Sequence, residues 1–198
     1  CRQIAPDAVA LCDLEGVLPE GILYDADQLD AVREYLLEQK ADALFMPHCD
    51  FGNEEVVGRL GAMMKLPVLV WGNRDPLPVP GMRDRDTQCG TLASTKCLQR
   101  YRVPFSYIIN SDVDGEMFQK GFIDFCSVAA VVKKARGMRI LSVGSRPQPF
   151  LSVIYNEDEL LRNFGIEVTP YTSAILAKDV QKILETRAEE VEAGVKEY

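Results

Sequence analysis

The feature that most constrains the fold of this chain is a regular alternation between short apolar runs and longer amphipathic segments. The amphipathic segments carry apolar residues at helical spacing and predict helices. The short runs are apolar without alternation, which is typical of parallel strands that are buried on both faces. They lie at residues 43–46, 68–71, 105–109, 139–143 and 166–168. The pattern predicts an α/β fold with a doubly wound, mainly parallel sheet and helices on both faces, as in Rossmann-like and flavodoxin-like proteins.

Helical patterns separate these strands along the chain. They lie at residues 27–39, 53–65, 92–100, 116–134 and 157–164, with a last helix from residue 174 onward. A loop rich in Pro, Gly and charged residues fills positions 72–90. The length of 198 residues suits one α/β domain followed by a connecting helix.

Composition and charge exclude several classes of function. The net charge of −8 makes nucleic acid an unsuitable partner. No apolar run approaches the roughly 20 residues that a membrane-spanning helix needs, so no membrane contact is expected. The six cysteines form no C-x-x-C pair and the chain has a single histidine, His48. A zinc or redox pattern is therefore missing, and this chain alone cannot build a metal site from several histidines.

Polar residues follow four of the predicted strands, at residues 47–54, 72–76, 110–114 and 144–148. In open α/β sheets, ligands bind beyond the carboxyl ends of the strands, so these loops are expected to meet at one edge. Their carboxylates and amides suit sugar hydroxyls, and their arginines suit an anionic group. The same residue types are also ordinary helix caps and turn residues, so both interpretations remain open for each of them.

Several of these segments resemble, in order, sequences of the L-fucose isomerase and L-arabinose isomerase family. The first reads FMPHCDFGNE at residues 45–54, and the second reads VWGNRD at residues 70–75. The resemblance continues through DTQCG at residues 86–90, VPFSYI at residues 103–108 and RILSVGSRP at residues 139–147. It covers most of the chain, from about residue 15 to about residue 175.

The resemblance implies a cytoplasmic aldose–ketose isomerase with three domains, assembled as an oligomer. Residues 1–173 would form its N-terminal α/β domain without the family's first strand, and residues 174–198 a connecting helix toward a second domain. Members of the family bind a divalent metal, usually manganese, through Glu, Asp and His side chains of later domains. No segment of this chain matches those ligands. We therefore expect no catalytic residue, no metal ligand and no cofactor within this chain.

In the family, the first domain of one subunit helps to close the active site of a neighbouring subunit. The resemblance therefore implies a sugar substrate, with other domains and neighbouring subunits of the same protein as partners. The positions that match the substrate-contacting loops are His48, Cys49, Asp50, Phe51, Trp71, Asn73 and Arg74.

The function predicted from the sequence is that of the N-terminal domain of a metal-dependent aldose–ketose isomerase. The domain would contribute substrate-site closure and oligomer contacts, and it would not be catalytic by itself. The alternatives are a non-enzymatic sugar-binding α/β module and a domain that serves assembly only. Sugar receptors usually hold their ligand between aromatic faces, and Trp71 is the only tryptophan, which weighs against the first alternative.

Overall fold

The structure is a computed structural model that describes residue 7, residues 9–77, residue 80 and residues 84–197. The chain forms two compact units, Cys1–Lys133 and Lys134–Tyr198. The division between these units lies within the helix at Glu116–Ala135. The predicted domain bounds at residues 173 and 174 describe the full-length protein, and they stay a prediction. In the described part of the chain, no helix is both long enough and apolar enough to cross a membrane.

Three parallel strands form the sheet of the first unit, in the order β1-β2-β3. They are β1 (Leu44–His48), β2 (Val68–Asn73) and β3 (Phe105–Ser111). Val68 of the central strand lies opposite Leu44 on one side and opposite Phe105 on the other. The helices of this unit are α1 (Leu29–Glu38), α2 (Glu54–Met64), α3 (Thr87–Arg100) and α4 (Glu116–Ala135).

Side chains that alternate along the strands build a separate core on each face of this sheet. On one face, Val68 and Val70 belong to a buried cluster with residues of α1, α2 and α3, such as Leu60 and Leu98. On the other face, Leu69 belongs to a cluster with residues of α4. Helices therefore cover both faces, which explains why β2 is apolar at successive positions and confirms the predicted α/β class.

Aromatic rings dominate the core beneath α4. Phe118 is fully buried, and its ring centroid lies 4.5 Å from that of Trp71 and 6.0 Å from that of Phe45. Phe122 lies 5.4 Å from Phe45 in an edge-to-face arrangement, which is a favoured geometry for aromatic pairs. These contacts attach α4 to β1 and β2 on this face of the sheet.

The second unit contains two parallel strands, β4 (Arg139–Val143) and β5 (Glu167–Tyr171), which pair with each other. Its helices are α5 (Glu157–Phe164), α6 (Ser173–Thr186) and α7 (Ala188–Glu197). The loop at residues 144–148 follows a strand of this second sheet, whereas the sequence pattern predicts it at the same edge as the other three loops. An apolar run predicts a strand but does not say which strand it pairs with, because pairing is decided by tertiary contacts.

Two helix bounds differ from those predicted by more than two positions. Helix α3 begins at Thr87, five positions before the predicted start at residue 92. The buried residues of its first turn are Thr87 and Gly90, which do not appear in a pattern of apolar residues. The last helix is interrupted at Arg187, which has non-helical backbone angles of φ −138° and ψ 33°. Thr186 precedes the interruption, and its hydroxyl hydrogen-bonds to the carbonyl oxygen of Lys182, an interaction that often bends helices.

Candidate functional site

The loops that follow β1, β2 and β3 meet at the carboxyl edge of the first sheet, against the N-terminal half of α3. We call residues 48–52, 73–75, 86–90 and 110–112 the rim. The amide nitrogen of the Asn110 side chain lies 3.3 Å from the carbonyl oxygen of Asn73, and Arg74 Nε lies 3.7 Å from Asp112 Oδ2. The loops after β2 and β3 therefore form one continuous surface, and the loop after β1 joins it at α3, where the Phe51 backbone lies against Gly90.

His48 ends β1 and lies beneath the surface of the rim, with only 5% of its area exposed. Its Nε2 lies 2.8 Å from Ser94 Oγ, and its Nδ1 lies 3.4 Å from the carbonyl oxygen of Met46. Because a carbonyl oxygen can only accept, Nδ1 carries the proton, and Nε2 accepts a hydrogen bond from the Ser94 hydroxyl. Burial lowers the pKa of His48 below its usual value, and this effect outweighs the opposite influences of Met46 and Asp50. The imidazole is therefore neutral at physiological pH.

The turn at residues 49–52 presents the other predicted contacts of this loop to solvent. Cys49, Asp50 and Phe51 are exposed, with 46% of the Phe51 surface accessible. Asp50 Oδ1 accepts the backbone N–H of Gly52 at 2.9 Å, which fixes the shape of the turn. Gly52 has a positive φ of 70°, which a residue with a side chain would adopt only with strain. The turn thus holds three exposed side chains on a defined backbone.

A hydrogen-bond network joins the loop after β2 to the start of α3. The Asp75 carboxylate accepts the backbone N–H groups of Thr87 and Gln88, each at 3.1 Å. The Thr87 hydroxyl lies 2.7 Å from Asp75 Oδ1 and 2.6 Å from the carbonyl oxygen of Asn73. Burial would raise the pKa of Asp75, but these hydrogen bonds and the charge of Arg85 lower it below its usual range. Asp75 therefore caps α3 as an ionised carboxylate.

Asn110 connects this network to β3. Its amide nitrogen also lies 3.2 Å from Thr87 Oγ1. Its carbonyl oxygen accepts from the hydroxyl groups of Tyr107, at 3.1 Å, and Thr91, at 3.2 Å. Each polar atom of the Asn110 side chain thus has a protein partner, and the floor of the rim is preorganised rather than open to rearrangement.

The structure places the residues predicted for the second loop at different depths. Asn73 is half-buried and its side-chain oxygen accepts the backbone N–H of Arg74, which itself is exposed. Trp71 is 5% exposed, packs in the aromatic core under α4 and donates its indole N–H to Ser111 Oγ at 3.1 Å. Its predicted contact with a substrate stays a prediction, and in this structure the indole supports the rim from below.

The structure brings His48, Cys49, Asp50, Phe51, Asn73 and Arg74 together at one edge. Sequence reasoning placed Asp75 and Asn110 in the loops at this edge, but it did not predict their supporting role, and it missed the buried hydroxyl groups of Thr87, Thr91 and Ser94. A sequence signal for part of this set exists in the i, i+4, i+7 spacing of Thr87, Thr91 and Ser94, which is the spacing of one helix face. This signal is missed when helical periodicity is judged from apolar residues alone, because Thr and Ser are then not counted as buried.

Among the described residues, no group of three or more His, Cys, Asp and Glu side chains lies close enough together to hold a metal ion. The rim itself contains four aspartates, one arginine and a neutral histidine. One of these aspartates caps α3 and another lies beside Arg74. The residues present therefore do not fit a divalent metal, whereas their carboxylate and amide oxygens suit the hydroxyl groups of a sugar.

The buried neutral state of His48 predicts a specific loss of stability in mild acid. The unfolded chain binds a proton at about pH 6.5, whereas the folded chain binds it only at lower pH. Between about pH 7.5 and about pH 5.5 we expect His48 to lower the free energy of unfolding by up to about 1.4 kcal/mol. Urea unfolding of the wild type and of His48→Gln at both pH values measures this contribution. Equal pH dependence in the two proteins would contradict it.

Comparisons with known proteins identify the family that this chain resembles. The sequence model of the family described as fucose/sulfoquinovose isomerase, N-terminal domain, matches residues 2–136. Curated relatives include the sulfoquinovose isomerases of Priestia aryabhattai and Priestia megaterium. Each is 24% identical to this chain over 150 residues, which are 76% of this chain and 33% of the relative. The chain thus spans about a third of the length of these relatives.

The family match covers more than half of the chain, including β1, β2, β3 and every rim residue. It confirms the resemblance that the sequence motifs indicated. The chain belongs to the family of fucose/sulfoquinovose isomerase N-terminal domains.

Proposed function

We propose that this chain is the N-terminal domain of a metal-dependent aldose–ketose isomerase, and that its rim closes the substrate site of the assembled enzyme. The family match supports the isomerase assignment. The observation that supports the role of the rim is the meeting of three strand-end loops on a preorganised hydrogen-bonded floor, with exposed side chains above it. Its proposed partners are the other domains and neighbouring subunits of the same protein. We also propose that the protein is cytoplasmic.

The chemistry of isomerisation is assigned to residues outside this chain. Interconversion of an aldose and a ketose needs a group that moves a proton between neighbouring carbons. His48 is neutral and buried, and both of its ring nitrogens contact protein groups. The Asp75 carboxylate is engaged by the start of α3. We therefore propose that a manganese ion and the proton-transferring groups are held by other domains. The role proposed for this rim is to orient the sugar and to exclude water.

The charge of the rim favours the hydroxyl end of a sugar as its ligand. The curated relatives are named for sulfoquinovose. In this rim, Arg74 is the only arginine and lies 3.7 Å from Asp112, while Asp50 is exposed in the turn at residues 49–52. An anionic group would meet an excess of carboxylates there. We propose that a sulfonated sugar, if it is the substrate, would bind with its anionic group away from this rim.

The proposal predicts turnover by the full-length protein and none by the 198-residue chain alone. The full-length protein with manganese is expected to convert an aldose into a ketose, and the transferred proton is expected to exchange with solvent. Proton NMR in heavy water, with L-fucose, L-arabinose and sulfoquinovose as test sugars, detects both the ketose and the deuterium at the reacting carbon.

Isomerisation by the 198-residue chain alone would contradict the assignment of the chemistry to other domains. A full-length protein that binds these sugars without converting any of them would contradict the isomerase proposal and support a sugar-binding module. A metal-free sample of the full-length protein is the control, and it is expected to show no turnover.

A further inference from the structure

Helix α3 turns a row of small and hydroxyl side chains toward the sheet in its N-terminal half. Thr87, Thr91 and Ser94 are all fully buried, and Gly90 lies among them. The spacing of the three hydroxyl residues is i, i+4 and i+7, so they lie on one face of the helix. Burial of a hydroxyl group costs folding free energy unless the group forms a hydrogen bond. The hydrogen-bond partners of this row therefore show which parts of the fold the row holds in place.

Each hydroxyl of this row contacts the end of a different strand. Thr87 Oγ1 lies 2.6 Å from the carbonyl oxygen of Asn73 in β2. Thr91 Oγ1 lies 3.2 Å from Asn110 Oδ1 in β3. Ser94 Oγ lies 2.8 Å from His48 Nε2 in β1. Helix α3 thus fixes the relative positions of the three loops that form the rim.

The contact with β1 also controls the exposed turn that follows it. The His48 ring, held by Ser94, lies under the turn, and a Cβ added at Gly52 would be 3.2 Å from His48 Cδ2. On the other side, the Phe51 carbonyl oxygen occupies the position next to Gly90, where an added Cβ would lie only 1.9 Å away. The turn therefore rests on the His48 ring and on the backbone of α3, and both supports are set by α3.

We propose that Ser94 is a positioning residue of the sugar site, which acts through His48 on the turn at residues 49–52. The inference rests on the proposed function of the rim. Ser94 is fully buried and does not reach a bound sugar. Its hydroxyl holds His48 in the tautomer with the proton on Nδ1, and this orients the ring on which the turn rests. Loss of the hydroxyl leaves Nε2 buried without its hydrogen-bond donor. The His48 ring is then no longer held in one orientation, and the turn that rests on it becomes free to change its conformation.

The test compares Ser94→Ala with Thr95→Ala in the full-length protein. Thr95 is the next residue of α3, and the one described hydrogen bond of its hydroxyl goes to the carbonyl oxygen of Leu92 in its own helix. For Ser94→Ala we expect the KM for the sugar to rise about fivefold, while kcat stays within about twofold of the wild type. For Thr95→Ala we expect both constants to be unchanged. Ser94→Cys keeps the size of the side chain with a weaker donor and should give an intermediate KM.

Nitrogen NMR of the 198-residue chain gives a second measurement, because His48 is its only histidine. In the wild type we expect a protonated Nδ1 and an unprotonated, hydrogen-bonded Nε2. In Ser94→Ala the Nε2 signal should move toward that of a free ring nitrogen. If Ser94→Ala does not fold, Ser94→Cys takes its place in both measurements.

The outcomes separate the inference from the proposed function. Full-length wild-type protein without isomerase activity overturns the proposed function and the inference that rests on it. If the wild-type protein has isomerase activity but Ser94→Ala has an unchanged KM, the positioning role alone is overturned. A raised KM with an unchanged Nε2 signal of His48 also overturns it, because the effect would not pass through the ring.

Discussion

Replacement of Gly90 by alanine is expected to lower the free energy of unfolding by about 2–3 kcal/mol, although alanine is usually the better helix former. The added Cβ would lie 1.9 Å from the carbonyl oxygen of Phe51 and 2.7 Å from its carbonyl carbon. These are backbone atoms, so no side chain can rotate away to make room. Either α3 or the turn at residues 49–52 has to move, and each is held by the contact between Ser94 and His48.

Urea unfolding of the Gly90→Ala variant measures this cost, and Gly194→Ala is its matched control. Gly194 also lies inside a helix, and a Cβ added there has no described atom within 4 Å. The control is expected to be stabilised by about 0.5–1 kcal/mol through helix propensity. If Gly90→Ala is as stable as the wild type, the turn does not rest on α3 in the way described here.

Removal of the Asp75 carboxylate by substitution with alanine is expected to cost about 2 kcal/mol of stability. The carboxylate caps α3 from outside the helix, because it accepts the N–H groups of Thr87 and Gln88 and contacts the Thr87 hydroxyl. Its loss leaves these donors without their charged partner at a helix N-terminus. We also expect the KM of the full-length enzyme to rise, because the loop that carries Asn73 and Arg74 is released from α3.

Asn156→Ala is the matched control for Asp75→Ala. Asn156 caps α5 through a single described hydrogen bond from the backbone N–H of Glu159, at 3.2 Å, and lies in the second unit. Its loss is expected to cost about 1 kcal/mol and to leave the KM unchanged. Equal losses of stability in the two variants, or an unchanged KM in Asp75→Ala, would show that Asp75 is an ordinary helix cap.

The strands and the meeting of their loops could be predicted from the sequence. Val68 to Trp71 form an unbroken apolar run, which is typical of a parallel strand buried on both faces. Since parallel strands end at the same edge, the sequence predicts that the loops carrying His48 and Asn73 lie at one edge of the sheet. The loop at residues 144–148 shows the limit of this reasoning, because β4 pairs with β5 in another sheet.

The supports of the site could not be predicted in the same way. The start of α3 was placed at residue 92, because Thr87 and Thr91 add nothing to an apolar pattern although both are fully buried. Their hydroxyl groups are satisfied by strand ends that are distant in sequence, such as Asn110. Trp71 is predicted as a substrate contact by the resemblance to the family, and this contact stays a prediction. In the structure, the aromatic partner Phe118, which comes from α4, keeps its indole in the core.

The central claim is that the rim contacts the sugar in the assembled enzyme without taking part in the chemistry. Steady-state kinetics of full-length Phe51→Ala test it most directly, because Phe51 is the large apolar side chain that the turn exposes. Leu37→Ala is the control, since Leu37 is exposed to a similar extent on α1, outside the rim. The account predicts that Phe51→Ala raises KM about tenfold with kcat nearly unchanged, and that Leu37→Ala alters neither. Unchanged KM in Phe51→Ala, or a collapse of kcat at constant KM, would contradict it.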